Sequence, residues 1–286
     1  MKQRLVLGGQ AVIEGVMIKS NNYVVTSVMN EKGEIVTKKE KLARKGRVRQ
    51  IPFVRGVMNM YDMLVIGYKS LLWSADIAGK EEGKISKFDI FLSISISLLF
   101  AIGLFLVLPF FITKFLYGKT IGVIFNLIDG LIRVIIFLLY LAVISRIKDV
   151  KRLFQYHGAE HKAVNCYEAG KTISIDNSKK FSTIHSRCGT NFLMIVLILS
   201  IFLFSFITTN NIIYTTILRI LLIPIVVAIS YEALKFADKY RNNSFIQLLL
   251  LPGLWLQKLT TEKPNDKQLR VAVNSVNTLL KLESGD

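Results

Sequence analysis

Cysteine is scarce in this chain, which has two cysteines among 286 residues. A disulfide framework needs several paired cysteines and an oxidising compartment, so the sequence predicts no disulfide. The start of the chain, MKQRLVLGGQAVIEG, also lacks an apolar stretch long enough for a cleavable signal peptide. Internal repeats are not evident either, which disfavours a transporter, because transporters usually carry internal symmetry.

Acidic residues are also few, with 20 against 37 lysines and arginines, which leaves a formal net charge of +17. We attribute this charge mainly to membrane topology and to attraction between basic loops and anionic lipid head groups. A protein or ribosomal partner is the alternative, suggested by the basic run at residues 38–49. Because most aromatic residues lie in apolar segments, no platform for stacking bases is visible, and specific nucleic-acid binding is disfavoured.

Long apolar segments dominate the rest of the chain. A helix rises about 1.5 Å per residue, so about 20 residues cross the ~30 Å hydrocarbon core of a lipid bilayer. The segments cover residues 90–115, 121–144, 192–207 and 212–234. The third is short and needs flanking residues to span. The predicted fold class is a membrane α-helical protein with four transmembrane helices, arranged as two hairpins over residues 90–144 and 191–235.

The basic residues predict the orientation of these helices. All but four of them lie before the first span, in the loop 145–190 or after the fourth span, the exceptions being Lys114, Lys119, Arg133 and Arg219. Lysine and arginine are enriched in cytoplasmic segments. We therefore expect a multi-pass protein with both termini and the loop 145–190 in the cytoplasm.

The N-terminal region, residues 1–50, is predicted to form a small β-rich cytoplasmic unit. Tyr23–Met29 is rich in β-branched residues, a turn-forming Asn-Glu-Lys-Gly sequence follows, and residues 35–37 resume the pattern. This is a hairpin signal. Ahead of it, glycines at positions 8, 9 and 15 indicate close backbone approach or positive φ angles.

Three further segments flank the predicted spans. Residues 53–78 carry charges at seven-residue intervals along one stripe, which predicts an interfacial amphipathic helix or a packed helix with a solvated face. Residues 245–257 are apolar, too short to span and interrupted by Pro252 and Gly253, so we expect a re-entrant or interfacial hairpin. Residues 260–286 are predicted to be a cytoplasmic tail with an amphipathic helix.

All three histidines and both cysteines lie between positions 157 and 188, within the predicted cytoplasmic loop. An H-x-x-E-H pattern places His157 and His161 one turn apart on a helix. Two imidazoles at this spacing can bind one divalent metal, most plausibly zinc. Glu160 between them could act as a general base on water.

A third metal ligand would be needed, and three residues are candidates. Glu168 shares the helix face of the histidines, whereas His185 and Cys188 follow in the loop before the third span. Two alternatives stay open. The cluster could be a hydrogen-bonded structural group without metal, and Cys188 could be a nucleophile with a histidine base or an inert buried cysteine.

The second predicted span contains the polar residues Asn126, Asp129 and Arg133. Asp129 and Arg133 are four residues apart on one helix face, about where the bilayer interior is expected. Charged residues inside a membrane are usually paired and face neighbouring helices, so a structural ion pair is the favoured interpretation. A proton or substrate path is the alternative.

Five motifs, in order, resemble one known family. They are GGQAVIEGVM at 8–17, IDGLIR at 128–133, YHGAEHKAVNCYE at 156–168, HSRCGTNFL at 185–193 and LPGLWLQKLTTEKPNDKQ at 251–268. They resemble the YqhQ-like family, which has a domain of unknown function and is sometimes labelled a predicted metal-dependent enzyme. The resemblance implies a bacterial cell membrane location. It also implies a family pattern that includes Glu14, His157, Glu160, His161, Glu168, His185 and Cys188.

The sequence thus leads to a membrane-embedded, metal-dependent hydrolase as the first hypothesis, with its site at the cytoplasmic face. The substrate could be a peptide, a lipid-linked molecule or a soluble compound. The alternative is a non-enzymatic membrane scaffold or assembly factor in which a metal only stabilises the loop. The coordination sphere distinguishes these, because structural zinc usually has four protein ligands and catalytic zinc keeps one position open.

Overall fold

The computed structural model of the chain describes residues 5–43, 46, 51–79, 87–118, 122–209, 211–240 and 243–285. Much of the basic run at residues 38–49 therefore lies outside the described residues. The order of elements is a four-stranded sheet followed by helices.

The N-terminal sheet is an antiparallel meander in the order β1-β2-β3-β4. The strands are β1 (Gly8–Val12), β2 (Gly15–Lys19), β3 (Tyr23–Met29) and β4 (Ile35–Lys41). The predicted hairpin is confirmed by β3 and β4, which pair across a turn where Gly33 adopts a φ of 79°. A φ in this range suits glycine, because a Cβ atom would crowd the backbone.

Helices cover both faces of the sheet. One face packs on α1 (Val54–Ile77), through a cluster that includes Val12, Met17 and Val28. The other face packs on α5 (Lys148–Glu168) and α10 (Asp266–Ser284). Successive strand residues point to opposite faces, and the central strands β2 and β3 are buried on both sides, whereas β4 is partly exposed.

Helix α1 contacts two parts of the molecule. Gly67, Ser70 and Ser74 are buried against the sheet, where their small size allows close approach. Near its start, Arg55 forms a salt bridge with Glu232 of a later helix. The predicted helix is present, but its position relative to a membrane stays a prediction.

Three helices in the described part of the chain are long and apolar enough to cross a membrane. They are the continuous helix Phe91–Tyr117, α4 (Val123–Ile144) and α8 (Ile212–Lys239). The first comprises α2 (Lys87–Ile102), a π-helical turn at Gly103–Val107 and α3 (Leu108–Tyr117). The fourth predicted span, α7 (Gly189–Phe204), has 16 residues and falls short of this length.

Two helices complete the fold. Helix α6 (Ile175–Lys179) is a short turn after α5. Helix α9 (Ser244–Thr260) continues through Pro252 and Gly253, so the prediction that the chain turns back there is wrong. Gly253 packs closely on Asn191 of α7, where a Cβ atom would lie 2.4 Å from Oδ1, so a glycine fits this position of the helix. Whether α9 lies at a membrane interface stays a prediction.

A buried polar cluster joins α4 to α8. Arg133 Nη2 lies 2.6 Å from Asp129 Oδ2, as the helical spacing predicted. Arg219 of α8 adds a second ion pair to Asp129 at 2.9 Å and donates to Asn126 Oδ1 at 3.0 Å. Both guanidinium groups also lie over the ring of Phe204. This cluster orients the helices and lies away from the histidines.

Candidate metal centre

Helix α5 carries the two histidines of the H-x-x-E-H pattern. Its inward face packs on the sheet through Tyr156, Ala159 and Ala163, all fully buried. The neighbouring helix face therefore carries His157 and His161, whose ring centroids are 4.4 Å apart. The register of the apolar stripe thus fixes where both imidazoles point.

Cys188 joins the two histidines from a different element. It is the N-cap residue of α7, where its Sγ accepts a hydrogen bond from the Thr190 amide at 3.3 Å. Its Sγ lies 3.3 Å from His157 Nε2, and one ligand atom from each of His157, His161 and Cys188 lies within 4.8 Å of the others. Tetrahedral zinc bound to nitrogen and sulfur holds its ligand atoms about 3.3–3.6 Å apart, judging from its bond lengths. The cluster could therefore hold a metal ion.

Backbone carbonyl groups orient both imidazole rings. His157 Nδ1 lies 2.8 Å from the carbonyl oxygen of Thr260, and His161 Nδ1 lies 2.5 Å from that of Thr183. A carbonyl oxygen only accepts, so each Nδ1 carries a proton, and in the neutral ring Nε2 keeps a lone pair. Metal-binding histidines usually have such a partner on the second nitrogen. Burial lowers the pKa of His161 against the opposing effect of Cys188, which favours the neutral form that binds metal.

Glu160 is buried beside this cluster, with 6% of its surface exposed. Its Oε2 has no hydrogen-bond partner among the described residues. Burial raises the pKa of Glu160, and the nearby charges of His157 and His185 oppose this only in part. The backbone of β1 comes so close that a Cβ atom at Gly9 would lie 2.9 Å from Glu160 Oε1. The predicted close approach of backbone at these glycines is therefore found at Gly9.

The other two candidate ligands pair with each other. Glu168 Oε1 lies 3.1 Å from His185 Nε2 and also accepts from Arg187. Burial acts to raise the pKa of Glu168, but the hydrogen bonds and charges of His185 and Arg187 outweigh it and lower that pKa. The structure thus brings Cys188 into ligand-atom range of the histidine pair. His185 lies close by, with its ring centroid 5.7 Å from that of His161, but its Nε2 pairs with Glu168. A ligand role for these two residues stays a prediction.

Glu14 lies apart from the metal cluster. Its carboxylate accepts hydrogen bonds from Arg152 of α5, at 2.5 Å for the Nη2 contact, and from the Tyr156 hydroxyl at 3.2 Å. It occupies the β1–β2 turn with a φ of 52°, which few residues other than glycine adopt. Glu14 therefore fixes the hairpin to α5 and acts on the candidate centre only through that helix.

A cavity of about 470 Å³ opens onto the centre. Its polar wall is formed by the cluster, Glu160 and the backbone of β1. Its apolar wall includes Leu153, Phe154 and Leu193. The site therefore offers room for a ligand much larger than water beside the three candidate metal ligands.

Sequence reasoning missed the supporting groups of the site. The carbonyl oxygens of Thr183 and Thr260 come from a loop and from the end of α9, and any residue type could supply them. Gln257 was also missed, although both ends of its amide bind the backbone of His185 at 2.9 Å. Its position in the motif LPGLWLQKLTTEKPNDKQ was the only signal that could have pointed to it.

The fold and the site together define an α-helical protein with membrane-type helices and a His/Cys cluster that could hold a metal. The chain belongs to the family described as protein of unknown function (DUF1385), which matches residues 51–282. It is 36% identical over 299 residues to the uncharacterized protein YqhQ of Bacillus subtilis (strain 168), covering 97% of this chain and 93% of that protein. The resemblance to the YqhQ-like family is thereby confirmed. No solved structure matches the chain.

Proposed function

We propose that the chain is a membrane-embedded, metal-dependent hydrolase whose active site is the cavity at the His157, His161 and Cys188 cluster. The observation that carries this proposal is the buried Glu160 Oε2, which has no partner among the described residues and lies beside three candidate metal ligands. A buried carboxylate oxygen without a hydrogen bond is costly, and such groups concentrate at functional sites.

The donor set favours zinc at a catalytic rather than a structural site. Two imidazole nitrogens and one thiolate are ligands that zinc prefers. Three protein ligands leave a fourth position for water, as in catalytic zinc sites, whereas structural sites are closed by a fourth side chain. Glu168 and His185 could have closed the sphere, but they pair with each other, and Glu168 also accepts from Arg187. This arrangement favours the enzyme over the scaffold.

Glu160 would act as the general base. A metal in this position would lower the pKa of a bound water molecule toward neutrality. The Glu160 carboxylate would take one proton from the attacking water, whose oxygen bonds to the electrophilic carbon of the substrate. Glu160 would then return that proton to the leaving group as its bond breaks. The raised pKa of Glu160 suits this role, because a base works best when its pKa is near the working pH.

Packing of the N-terminal sheet on α5 and α10 supports a topology in which both termini lie on the same side of a membrane. The sheet, α5 and α10 share one hydrophobic core, with Val16, Ala159 and Leu269 among its members. These elements must therefore lie on the same side of a membrane. Between α5 and α10 the chain then needs an even number of crossings, and α8 supplies one.

Helix α7 is the best candidate for the second crossing, although it is short. It runs beside α4 from the Leu141–Met194 contact to the close approach of Gly130 and Ile201. Beyond its end, the Ile207 carbonyl accepts from Asn126 at 2.7 Å. These contacts follow α4 over roughly 22 Å of helix length, given its rise per residue. We infer four spans, with both termini in the cytoplasm of a bacterial cell and basic segments near anionic lipid head groups.

A chromosomal Glu160→Gln substitution tests the proposal without knowledge of the substrate. Glutamine keeps the shape of the side chain but cannot take a proton at neutral pH. Mass spectrometry of the peptides, lipids and small molecules of the Glu160→Gln strain should show the same accumulated species as a deletion strain. Protein amount and metal content should match the wild type. If the deletion changes these profiles but the Glu160→Gln strain resembles the wild type, Glu160 is not a catalytic base.

A further inference from the structure

Strand β1 is an edge strand, since β2 is its only neighbour in the described sheet. In an antiparallel pair, the backbone N–H and C=O groups of successive residues point alternately toward the partner strand and away from it. The Met29 amide donates to the Glu14 carbonyl at 2.9 Å, so the backbone groups of Gly15 point away from β3 and toward its partner Val12.

The same alternation assigns the rest of β1. The backbone groups of Val12 and Gln10 point toward β2, whereas those of Ala11 and Gly9 point to the open edge. Within the part of the chain that the structure describes, no residue hydrogen-bonds these outward groups of Gly9 and Ala11. Both residues are only half-buried, and both line the cavity that holds the metal cluster and Glu160.

We propose that the substrate of this site is a polypeptide segment that binds in extended conformation along the open edge of β1. This inference rests on the proposed hydrolase function. The edge presents two amide donors and two carbonyl acceptors in the spacing of a strand, which another extended backbone matches and a lipid or a sugar does not. A peptide on this edge has its own carbonyl groups beside His157, Glu160 and Cys188.

The shape of the cavity fits such a segment. A Cβ atom at Gly8 would meet nothing within 4 Å, so the start of β1 is open. Gly9 has no side chain, and its backbone comes close to Glu160. The apolar wall of Leu153, Phe154 and Leu193 would take an apolar side chain next to the cleaved bond. Leu193 belongs to α7, so this wall continues onto an apolar helix of the bundle.

The reaction that follows is hydrolysis of a peptide bond. The oxygen of water bonds to the peptide carbonyl carbon, and the C–N bond breaks. Glu160 takes a proton from the water and passes it to the leaving nitrogen. The products are a carboxylate and an amine, and no oxidant or reductant is needed.

Hydroxamate probes test this proposal on the full-length, zinc-loaded protein in nanodiscs. A hydroxamate group binds metal, so acetohydroxamate reports on the metal centre alone. Tri-leucine hydroxamate adds a peptide backbone, and its analogue with N-methylated peptide nitrogens keeps the side chains but cannot donate to the edge. We expect the unmethylated peptide to bind about tenfold tighter than the N-methylated one, from one or two hydrogen bonds.

A pair of proline variants locates the effect. Ala11→Pro removes an N–H that points to the open edge and breaks no bond to β2, so it should weaken the binding of both peptides, because both keep the carbonyl groups that would accept from this N–H. Lys39→Pro is the matched control, because Lys39 faces outward on β4, the opposite edge. This control should bind both peptides as tightly as the wild type does. Acetohydroxamate should bind all three proteins equally.

The outcomes separate the two proposals. Equal binding of both peptides to the wild type, with zinc-dependent binding of acetohydroxamate, overturns the peptide inference and leaves the hydrolase. Failure of acetohydroxamate to bind in a zinc-dependent way overturns both. If Ala11→Pro fails to fold, the comparison of the two peptides on the wild type still decides.

Discussion

At the residue scale, Glu160 is the residue that most favours the proposed catalytic site. Its side chain is 6% exposed, and its Oε2 meets no donor among the described residues. The backbone at Gly9 comes so close that a Cβ atom there would lie 2.9 Å from Glu160 Oε1. A group that served only stability would be replaced by a less costly side chain, since burying an unsatisfied polar atom costs about 1–3 kcal/mol.

The same carboxylate should destabilise the metal-free protein in a pH-dependent way. Burial raises the pKa of Glu160 above its ordinary value of 4.5, so the folded protein holds this proton more tightly than the unfolded chain. The cost of ionisation is therefore absent below pH 4.5 and grows as the pH rises above it. Glu160→Gln removes this cost, so it should raise the melting temperature of chelator-treated protein at pH 7. The rise should be about 2–4 °C for each kcal/mol by which the ionised carboxylate destabilises the fold.

This stabilisation by Glu160→Gln should shrink as the pH is lowered toward 4.5. Thermal unfolding of both proteins in the same detergent across this range measures it. A difference in melting temperature that stays constant with pH would mean that Glu160 is already neutral or well solvated in the folded protein.

Removal of either clustered histidine should abolish metal binding. His157→Ala and His161→Ala each delete one of three candidate ligands, so elemental analysis should fall from about one zinc per chain to a small fraction of that. His185→Ala is the matched control, because this imidazole lies beside His161, with ring centroids 5.7 Å apart, but its Nε2 pairs with Glu168. Loss of zinc from His185→Ala but not from His161→Ala would mean that a different set of residues binds the metal.

Contacts between residues could be predicted from the sequence when the residues lie within one or two helical turns of each other, and not when they lie on different elements. The pairs His157/His161 and Asp129/Arg133 follow from helical spacing alone. The third candidate ligand could not be chosen from the sequence, because Cys188 reaches the histidines only through the fold of a loop. Arg219 was likewise unpredictable as a partner of Asp129, since the two lie on different helices.

At the element scale, the site depends on how α5, α7 and α9 meet. The end of α9 supplies the Thr260 carbonyl to His157, and the chain beyond it binds back to α5 through the Glu262 amide and the Phe154 carbonyl at 3.0 Å. Asn191 at the start of α7 accepts from Gln257 of α9 at 3.1 Å. These contacts hold the loop that carries Cys188 against the histidines.

A side chain at Gly253 should separate α7 from α9. The added Cβ of Gly253→Ala would lie 2.4 Å from Asn191 Oδ1, so the helices must move apart, and overpacking of this kind costs about 1–3 kcal/mol. We expect a lower melting temperature and weaker zinc affinity, measured by thermal unfolding and metal titration. Gly103→Ala is the control, because a Cβ there meets nothing within 4 Å. Equal effects of both substitutions would show that the α7–α9 contact does not support the site.

Prediction of the elements succeeded where a local pattern specifies them. The β3–β4 hairpin and the long apolar helices have clear periodicity or length. The β1–β2 hairpin was not predicted, because its glycines are poor strand formers and it is stabilised by contacts with α1, α5 and α10. The turn expected at Pro252 and Gly253 is absent, because the glycine lies within a helix, where it allows close packing on Asn191.

At the scale of the whole molecule, three distant parts of the chain form one unit. The N-terminal sheet, α5 and α10 share a core. The chain leaves and re-enters this unit twice, each time through apolar helices. The candidate centre lies where the unit meets α7 and α9.

This arrangement predicts the outcome of reporter fusions. Fusions after Tyr117 and after Thr209 should report an external location, whereas fusions at residues 170–174 and after Gly285 should report the cytoplasm. The physical reason is that α10 cannot pack on α5 across a bilayer. An external location for the C-terminus would mean that an odd number of helices crosses the membrane, and the four-span arrangement would be wrong.

The most direct test of a catalytic metal centre is zinc K-edge X-ray absorption on the full-length, zinc-loaded protein. We expect a first shell of two nitrogens and one oxygen at about 2.0–2.1 Å and one sulfur at about 2.3 Å. The nitrogens would be His157 and His161, the sulfur Cys188, and the oxygen exchangeable water. Glu160→Gln should leave this shell unchanged. A closed shell of four protein ligands, or the absence of a sulfur ligand, would contradict a site with one open position at this cluster.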